Sequence, residues 1–177
     1  MSGAQRETIK GAQAERSPVY HGGKPFFTWP VRVYYQHTDA GGVVFHGDYL
    51  NFMEAARAEM LRAMGFDVGE LARRDGVLFV VHTLQLRYLR PARLGDSLEV
   101  VVKVVKALGA RLVLEQFVRR GEETLVSAQL TLACVNALDQ RPIAIPKPIK
   151  EAFGREKAEK GQELNDVRVV RQRAPVR

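Results

Sequence analysis

The chain has 177 residues, of which 46% are apolar, with a single cysteine and a formal net charge of +7. This length predicts one domain, and this apolar fraction is enough to build its core. The one cysteine, Cys134, excludes an intrachain disulfide and a cysteine-cluster metal site, and it fits a reducing compartment. The N-terminal residues lack the apolar run of a signal peptide and no stretch has the length and apolarity of a membrane span, so we expect a cytoplasmic protein.

The positive charge lies mainly at the two ends of the chain. Residues 1–25 carry a net +2 and residues 146–177 a net +4, whereas residues 26–145 carry only +1. A basic end can contact nucleic acid or anionic lipid, but the composition of these ends favours solvated tails. We predict a disordered polar extension over 1–25, a folded domain over 26–146 and a basic, partly disordered tail over 147–177, with no nucleic-acid partner.

The first predicted elements are a strand, a tight turn and a long helix. Residues 26–35 are rich in aromatic and β-branched side chains, which favours a strand, and Asp39-Ala40-Gly41-Gly42 then interrupts it. Apolar residues recur at helical spacing over 49–64, which predicts a helix, with Asp48 placed to cap its start and Gly65 to end it. The aligned apolar positions are Tyr49, Phe52, Met53, Ala56, Met60 and Met64.

The remainder of the chain predicts a short helix at 68–74 and then mostly strands. The strands are expected at 78–88, 98–106, 111–120 and 124–136, with turns between them. An extended piece at 139–146 and a short helix at the start of the tail follow. This spacing implies an antiparallel meander. The long helix must bury its apolar stripe on that sheet, which gives an α+β fold, and open sheet edges favour pairing into a homodimer or homotetramer.

Asp39 and His46 place a carboxylate and an imidazole on the loop between the first strand and the long helix. The first turn of a helix presents free backbone N–H groups and a partial positive charge, which stabilise a developing oxyanion. The loop is therefore a candidate catalytic site. From the residue types alone, a turn aspartate that binds its own backbone is the simpler interpretation of Asp39, and a histidine that bonds across the loop is an equal alternative for His46.

Three stretches carry a more specific pattern: Tyr34-x-x-x-Thr38-Asp39-Ala40-Gly41-Gly42-Val43-Val44-Phe45-His46-x-x-Tyr49-Leu50, then Glu54-Ala55-Ala56-Arg57-x-Glu59-Met60-Leu61, then Tyr88-x-x-Pro91-Ala92-x-Leu94-Gly95-Asp96. Together they resemble the 4-hydroxybenzoyl-CoA thioesterase family, and within it the Tol-Pal-associated acyl-CoA thioesterases. The resemblance spans about residues 29–146. It departs at Gln36-His37, where acidic residues are more usual in that family.

The resemblance implies a hotdog fold, in which an antiparallel sheet wraps one long central helix, and the hydrolysis of an acyl-CoA thioester without a metal or redox cofactor. The substrate is then expected between two subunits, with its acyl-pantetheine arm passing the helix N-terminus. Asp39 is the expected catalytic group, either as a nucleophile that forms a mixed anhydride or as a general base on water. The backbone N–H near His46 is the expected oxyanion donor, and the His46 imidazole could orient water or the carboxylate.

The expected substrate-binding residues lie on the same loop and near the end of a later strand: Tyr34, Gly41, Gly42, Val44, Phe45, Arg87 and Arg90. The two glycines shape the turn and let a substrate chain pass close to the backbone. Tyr34 is expected to bound the acyl pocket, with packing on the strand as an equal alternative. The two arginines, together with Arg93, supply positive charge for the phosphates of the coenzyme.

Other interpretations stay open at this stage. Glu54 on the long helix is a minor rival to Asp39, although an ion pair with Arg57 or Arg87 is its expected role. A hotdog hydratase or dehydratase usually has a histidine on this helix, and residues 49–64 contain none. A thioesterase or dehydratase acting on acyl carrier protein, or an acyl-thioester-binding protein without hydrolase activity, fits the same motifs.

Overall fold

The computed structural model of the protein describes residues 26–158, with side chains described to residue 153. The predicted extension over 1–25 and the end of the predicted tail, 159–177, lie outside the described residues. In chain order the elements are β1 (Phe27–Arg32), a 3₁₀ turn (Tyr35–His37), α1 (Asp48–Ala63), α2 (Val68–Arg74), β2 (Val77–Tyr88), β3 (Ser97–Leu108), β4 (Arg111–Arg120), β5 (Glu123–Asn136) and α3 (Lys147–Ala158).

The five strands form one antiparallel sheet in the order β1-β3-β4-β5-β2. β3, β4 and β5 are joined as the predicted meander. The prediction that β2 also belongs to this meander is wrong, because β2 pairs with β5 and not with the following strand β3. As a result β1 and β2 are the two edge strands of the sheet.

The connection between β2 and β3 explains this topology. Its first residues, Leu89 and Arg90, donate their backbone N–H groups to the Leu125 carbonyl on β5, at 2.8 and 3.1 Å. Its last residues, Gly95 and Asp96, are bonded to Val33 beside β1, at 3.0 Å in both directions. The segment 89–96 is therefore anchored near both edges of the sheet, and it cannot act as a tight hairpin turn.

α1 packs on one face of the sheet and supplies the centre of the core. Its buried side chains are Tyr49, Phe52, Met53, Ala56, Met60 and Leu61. Alternate residues of β4 and β5 point toward it, as expected for strands with one buried face, including Leu114, Val118 and Leu130. Cys134 is completely buried in this core.

One polar side chain is also buried beneath α1. Gln116 on β4 is fully buried and donates its Nε2 to the Met53 carbonyl at 3.0 Å, while its Oε1 accepts a hydrogen bond from Arg57 Nη1 at 2.7 Å. Arg57 in turn forms an ion pair with Glu54, one of the two partners predicted for that carboxylate. Buried amides of this kind fix the position of a helix on a sheet because an unpaired polar group in the core is costly.

The segment from β1 to the end of α1 differs from its prediction at two points. The predicted first strand ends too late, because the chain leaves β1 after Arg32 and forms the 3₁₀ turn at Tyr35–His37. Asp48 is the first residue of α1 and not its cap: Gly47 precedes the helix without a side-chain cap, and the Asp48 carboxylate accepts a bond from Asn51 Nδ2 at 3.0 Å. Gly65 follows the helix with a φ of 88°, as predicted for a helix-ending glycine.

The chain after β5 returns to the core. The extended piece predicted at 139–146 runs beside β5 without forming a strand: Pro142 bridges Val135, and Ile143 N–H donates to the Cys134 carbonyl at 2.9 Å. The predicted short helix after it is α3, in which Ile149 and Phe153 are buried against the main core. Among the helices of residues 26–158, none is long and apolar enough to cross a membrane.

Candidate active site

The loop before α1 holds Asp39 at the tip of a tight turn. Thr38 and Val44 form an isolated antiparallel bridge at the base of the turn, and Asp39 N–H donates to the Val43 carbonyl at 2.9 Å. The Asp39 Oδ1 accepts a hydrogen bond from Gly41 N–H at 2.7 Å, and Gly42 adopts a φ of 72° that favours glycine. The bond to Gly41 occupies one carboxylate oxygen, but the Asp39 side chain is exposed, so the carboxylate remains accessible to solvent.

The residues just before α1 present backbone donors on this loop. Phe45 N–H donates to the His37 carbonyl and Asp48 N–H to the Phe45 carbonyl, both at 2.9 Å. Within residues 26–158, no acceptor is found for the backbone N–H groups of His46 and Gly47. They lie at the positive end of a 16-residue helix. The arrangement therefore offers free donors where a negative charge is stabilised.

The chain after β2 forms the opposite wall. Tyr88 donates its hydroxyl to the His46 carbonyl at 3.0 Å. Ala92 N–H donates to the Tyr49 hydroxyl oxygen at 2.9 Å, and the Ala92 carbonyl accepts from Val44 N–H at 2.9 Å. Burial is the main cause that raises the pKa of Tyr49 above its ordinary value of 10.0, so its phenol stays neutral at physiological pH. These bonds join two distant parts of the chain around one cleft.

The cleft between these walls has a volume of about 270 Å³ and is lined by Val44, His46, Tyr49, Tyr88, Leu89, Arg90 and Pro91. Arg90 is its cationic group. Arg90 Nε lies 3.7 Å from the Glu123 carboxylate, and Glu123 also accepts a bond from Arg120 at 2.7 Å. Arg120 bridges onward to Asp96 at 2.8 Å, so the arginine of the cleft is connected to an ion-pair network.

The structure places the predicted site residues unevenly. His46, Val44 and Arg90 line the cleft. Asp39, Gly41 and Gly42 do not line it; they form the exposed turn that precedes Val44, and Phe45 is also exposed. Tyr34 is 61% exposed, and its backbone N–H donates to His37 Nδ1 at 3.0 Å.

Arg87 is separated from the cleft. It precedes Tyr88 on β2, and neighbouring residues of a strand point to opposite faces, so it lies on the face away from α1. There it lines a different hollow of about 730 Å³, together with Glu115 and Ser127. The sequence pointed to both arginines by charge alone, and only Arg90 shares a cleft with His46 in this protomer.

Two residues of the cleft were not predicted to serve the site. Tyr49 was interpreted as a core residue, which its burial confirms, but its oxygen also holds the Ala92 segment. Tyr88 was noted only as part of the third motif. The sequence signal that could have identified Tyr88 as a site residue was the third motif, which contains Tyr88-x-x-Pro91. No group of three His, Cys, Asp or Glu side chains that could hold a metal ion occurs in the described part of the chain.

Within residues 26–158, one long helix packed on a five-stranded antiparallel sheet is the architecture of a hotdog fold. The model of the thioesterase superfamily matches residues 41–127, which begin just after Asp39. The chain is 43% identical to the acyl-CoA thioesterase YbgC of Haemophilus influenzae, over 72% of this chain and 93% of that protein. The chain belongs to the thioesterase superfamily, which confirms the family and the hotdog fold predicted from the motifs.

Other relatives agree with this assignment. The acyl-CoA thioester hydrolase YbgC of Escherichia coli O157:H7 is 44% identical over 72% of this chain and 95% of its own length. Among solved structures, a probable thioesterase from Bartonella henselae superposes with a TM-score of 0.66 at 35% identity, covering 68% of this chain and 99% of that one.

Proposed function

We propose that this protein hydrolyses acyl-CoA thioesters to a free acid and coenzyme A. The observation that carries the proposal is the exposed Asp39 carboxylate on the turn that leads to the free N–H groups of His46 and Gly47. A thioester carbonyl needs both an oxygen nucleophile and donors for its developing oxyanion. The activity printed in the names of the YbgC relatives is of the same class.

Two chemical routes are compatible with Asp39. As a nucleophile, a carboxylate oxygen attacks the carbonyl carbon, the carbon–sulfur bond breaks, and the coenzyme leaves as a thiolate that takes a proton from solvent. Water then hydrolyses the mixed anhydride. As a general base, Asp39 takes a proton from water while the water oxygen attacks, and the proton then passes to the leaving thiolate. In either route we assign the His46 imidazole, which lines the cleft, the role of orienting the water.

We place the acyl-pantetheine arm along the cleft and the coenzyme phosphates near Arg90. The arginine is the cationic side chain that lines the cleft, and guanidinium groups bind phosphate with two parallel hydrogen bonds. Gly41 and Gly42 offer a backbone without side chains beside the reacting group.

We further propose that the working form is a homodimer or a homotetramer in which a second copy completes the site. The cleft of one protomer is smaller than the roughly 300–1,000 Å³ of typical ligand pockets, and acyl-CoA is a large ligand. The edge strand β2 exposes Val80, Val81 and Leu84. A long edge strand with exposed apolar side chains is a ready template for pairing with another chain, so a second β2 is the proposed partner.

A thiol-release assay with the full chain tests the proposed activity. Purified protein is incubated with acyl-CoAs from short aliphatic to long and aromatic, and free coenzyme A is measured over time. We expect saturable release for at least one class of acyl group. No release from any acyl-CoA, together with release from acyl carrier protein thioesters, would support the alternative substrate. Binding of a non-hydrolysable acyl-CoA without any turnover would support a binding protein.

A further inference from the structure

Tyr88 connects the sheet to the loop that carries the backbone donors. It is the last residue of β2, its side chain is 52% exposed, and its hydroxyl donates to the His46 carbonyl at 3.0 Å. Its ring meets the buried Tyr49 ring edge-on, with centroids 5.8 Å apart. Tyr49 is held in place by the Ala92 N–H bond. The Tyr88 hydroxyl therefore reaches the loop from a supported position.

The bonded carbonyl belongs to the peptide group that also contains the Gly47 N–H. A trans peptide group is planar, and its C=O and N–H point in opposite directions. A hydrogen bond that fixes the His46 carbonyl consequently fixes the direction of the Gly47 N–H. The preceding peptide group is fixed in the same way, because Asp48 N–H donates to the Phe45 carbonyl and so orients the His46 N–H.

The helix itself does not hold the His46 carbonyl. Leu50 N–H donates to the Gly47 carbonyl at 3.0 Å. Among the described residues, the Tyr88 hydroxyl is the donor found for the His46 carbonyl. Without it, the His46–Gly47 peptide group would lose the hydrogen bond that orients it at the point where the proposed oxyanion forms.

We propose that Tyr88 is a positioning residue for thioester hydrolysis, because its hydroxyl orients the peptide group that presents the Gly47 N–H to the thioester oxygen. This inference rests on the proposed function. A backbone donor stabilises a transition state only when it points at the developing oxyanion without reorganisation. Tyr88 acts through this peptide group and does not itself react.

The Tyr88→Phe variant removes the hydroxyl and keeps the ring. We expect kcat to fall about 10-fold with less than a two-fold change in KM, a smaller loss than the 10²–10³-fold of deleting an oxyanion donor. The matched control is Tyr35→Phe, since Tyr35 is 82% exposed and its hydroxyl has no bond within residues 26–158. An unchanged kcat in Tyr88→Phe would overturn the inference.

A second measurement does not depend on activity. In ¹⁵N-labelled full-length protein, the amide resonance of Gly47 is expected to shift and to exchange faster with solvent in Tyr88→Phe, and to stay unchanged in Tyr35→Phe. The positioning role would be overturned if the Gly47 amide resonance and its exchange rate are unchanged in Tyr88→Phe. It would also be overturned if a lower melting temperature of that variant accounts for its lower kcat. If the wild-type protein hydrolyses no thioester, the proposed function fails, and the Gly47 amide still decides whether Tyr88 orients the peptide group.

Discussion

Replacing Asp39 with asparagine removes one negative charge and leaves the turn intact. The asparagine Oδ1 takes the position that accepts the 2.7 Å bond from Gly41 N–H, and asparagine is as well suited to such a turn as aspartate. No other hydrogen bond to this carboxylate is found within residues 26–158. Because the side chain is exposed, the change leaves no buried group without a partner.

The expected losses in activity and stability are therefore very different. General base catalysis contributes about 10²- to 10⁴-fold, which corresponds to roughly 3–5 kcal/mol of transition-state stabilisation at 1.36 kcal/mol for each factor of ten. An amide cannot take this proton, and it is a poor nucleophile. The free energy of unfolding should change by no more than about 0.5 kcal/mol, as for an ordinary surface substitution.

The assay compares kcat by thiol release and stability by urea unfolding for the wild type, Asp39→Asn and Asp139→Asn. Asp139 is a matched control, because it is an exposed turn aspartate whose Oδ1 accepts from the N–H two residues later, Arg141, at 3.1 Å. Asp139→Asn should keep full activity. If Asp39→Asn keeps more than about a tenth of the wild-type kcat, the assignment of Asp39 is refuted. The loss in kcat would then be smaller than the smallest contribution expected of a catalytic base.

Three further predictions follow from the same geometry. Tyr49→Phe leaves the buried Ala92 N–H without its acceptor and should lower the free energy of unfolding by about 1–3 kcal/mol, measured in urea. Arg90→Ala should raise KM for acyl-CoA and not for an acyl-pantetheine, which lacks the nucleotide phosphates. Arg87→Ala, which alters a residue on the other face of the sheet, should change neither KM. Burial raises the pKa of the Cys134 thiol, so it should react with a disulfide reagent only on unfolding; fast reaction at pH 8 in the folded protein would contradict its burial.

Elements with local signals were predicted well from the sequence. α2 and β4 have the predicted bounds, 68–74 and 111–120. Asp67 caps α2 by accepting bonds from the N–H groups of Gly69 and Glu70, and glycines with positive φ follow α2 and flank β4. Capping residues and turn glycines act within a few positions of the chain, so a single sequence contains them.

Features that depend on distant contacts were predicted less well. The hairpin expected between β2 and β3 fails because the ends of the connecting segment bond to Leu125 and Val33, far along the chain in both directions. Such long-range bonds leave no local trace in residue types.

The candidate site divides in the same way. The loop from Asp39 to His46 was identifiable because its residues are contiguous and carry a family motif. The opposite wall was identifiable only in part: its motif and Arg90 could be found, but the hydroxyls of Tyr49 and Tyr88 reach backbone groups more than forty positions away. Charge alone also could not separate Arg87 from Arg90, because the face on which each lies follows from where β2 ends.

A crystal structure of the full chain with a non-hydrolysable acyl-CoA, in which a ketone replaces the thioester, tests the central claim most directly. We predict the ketone oxygen at about 2.7–3.1 Å from the backbone nitrogen of His46 or Gly47, with the Asp39 carboxylate beside the carbonyl carbon and the phosphates near Arg90. A ligand whose carbonyl lies far from Asp39, or one bound in the hollow beside Arg87 and Glu115, would contradict the account.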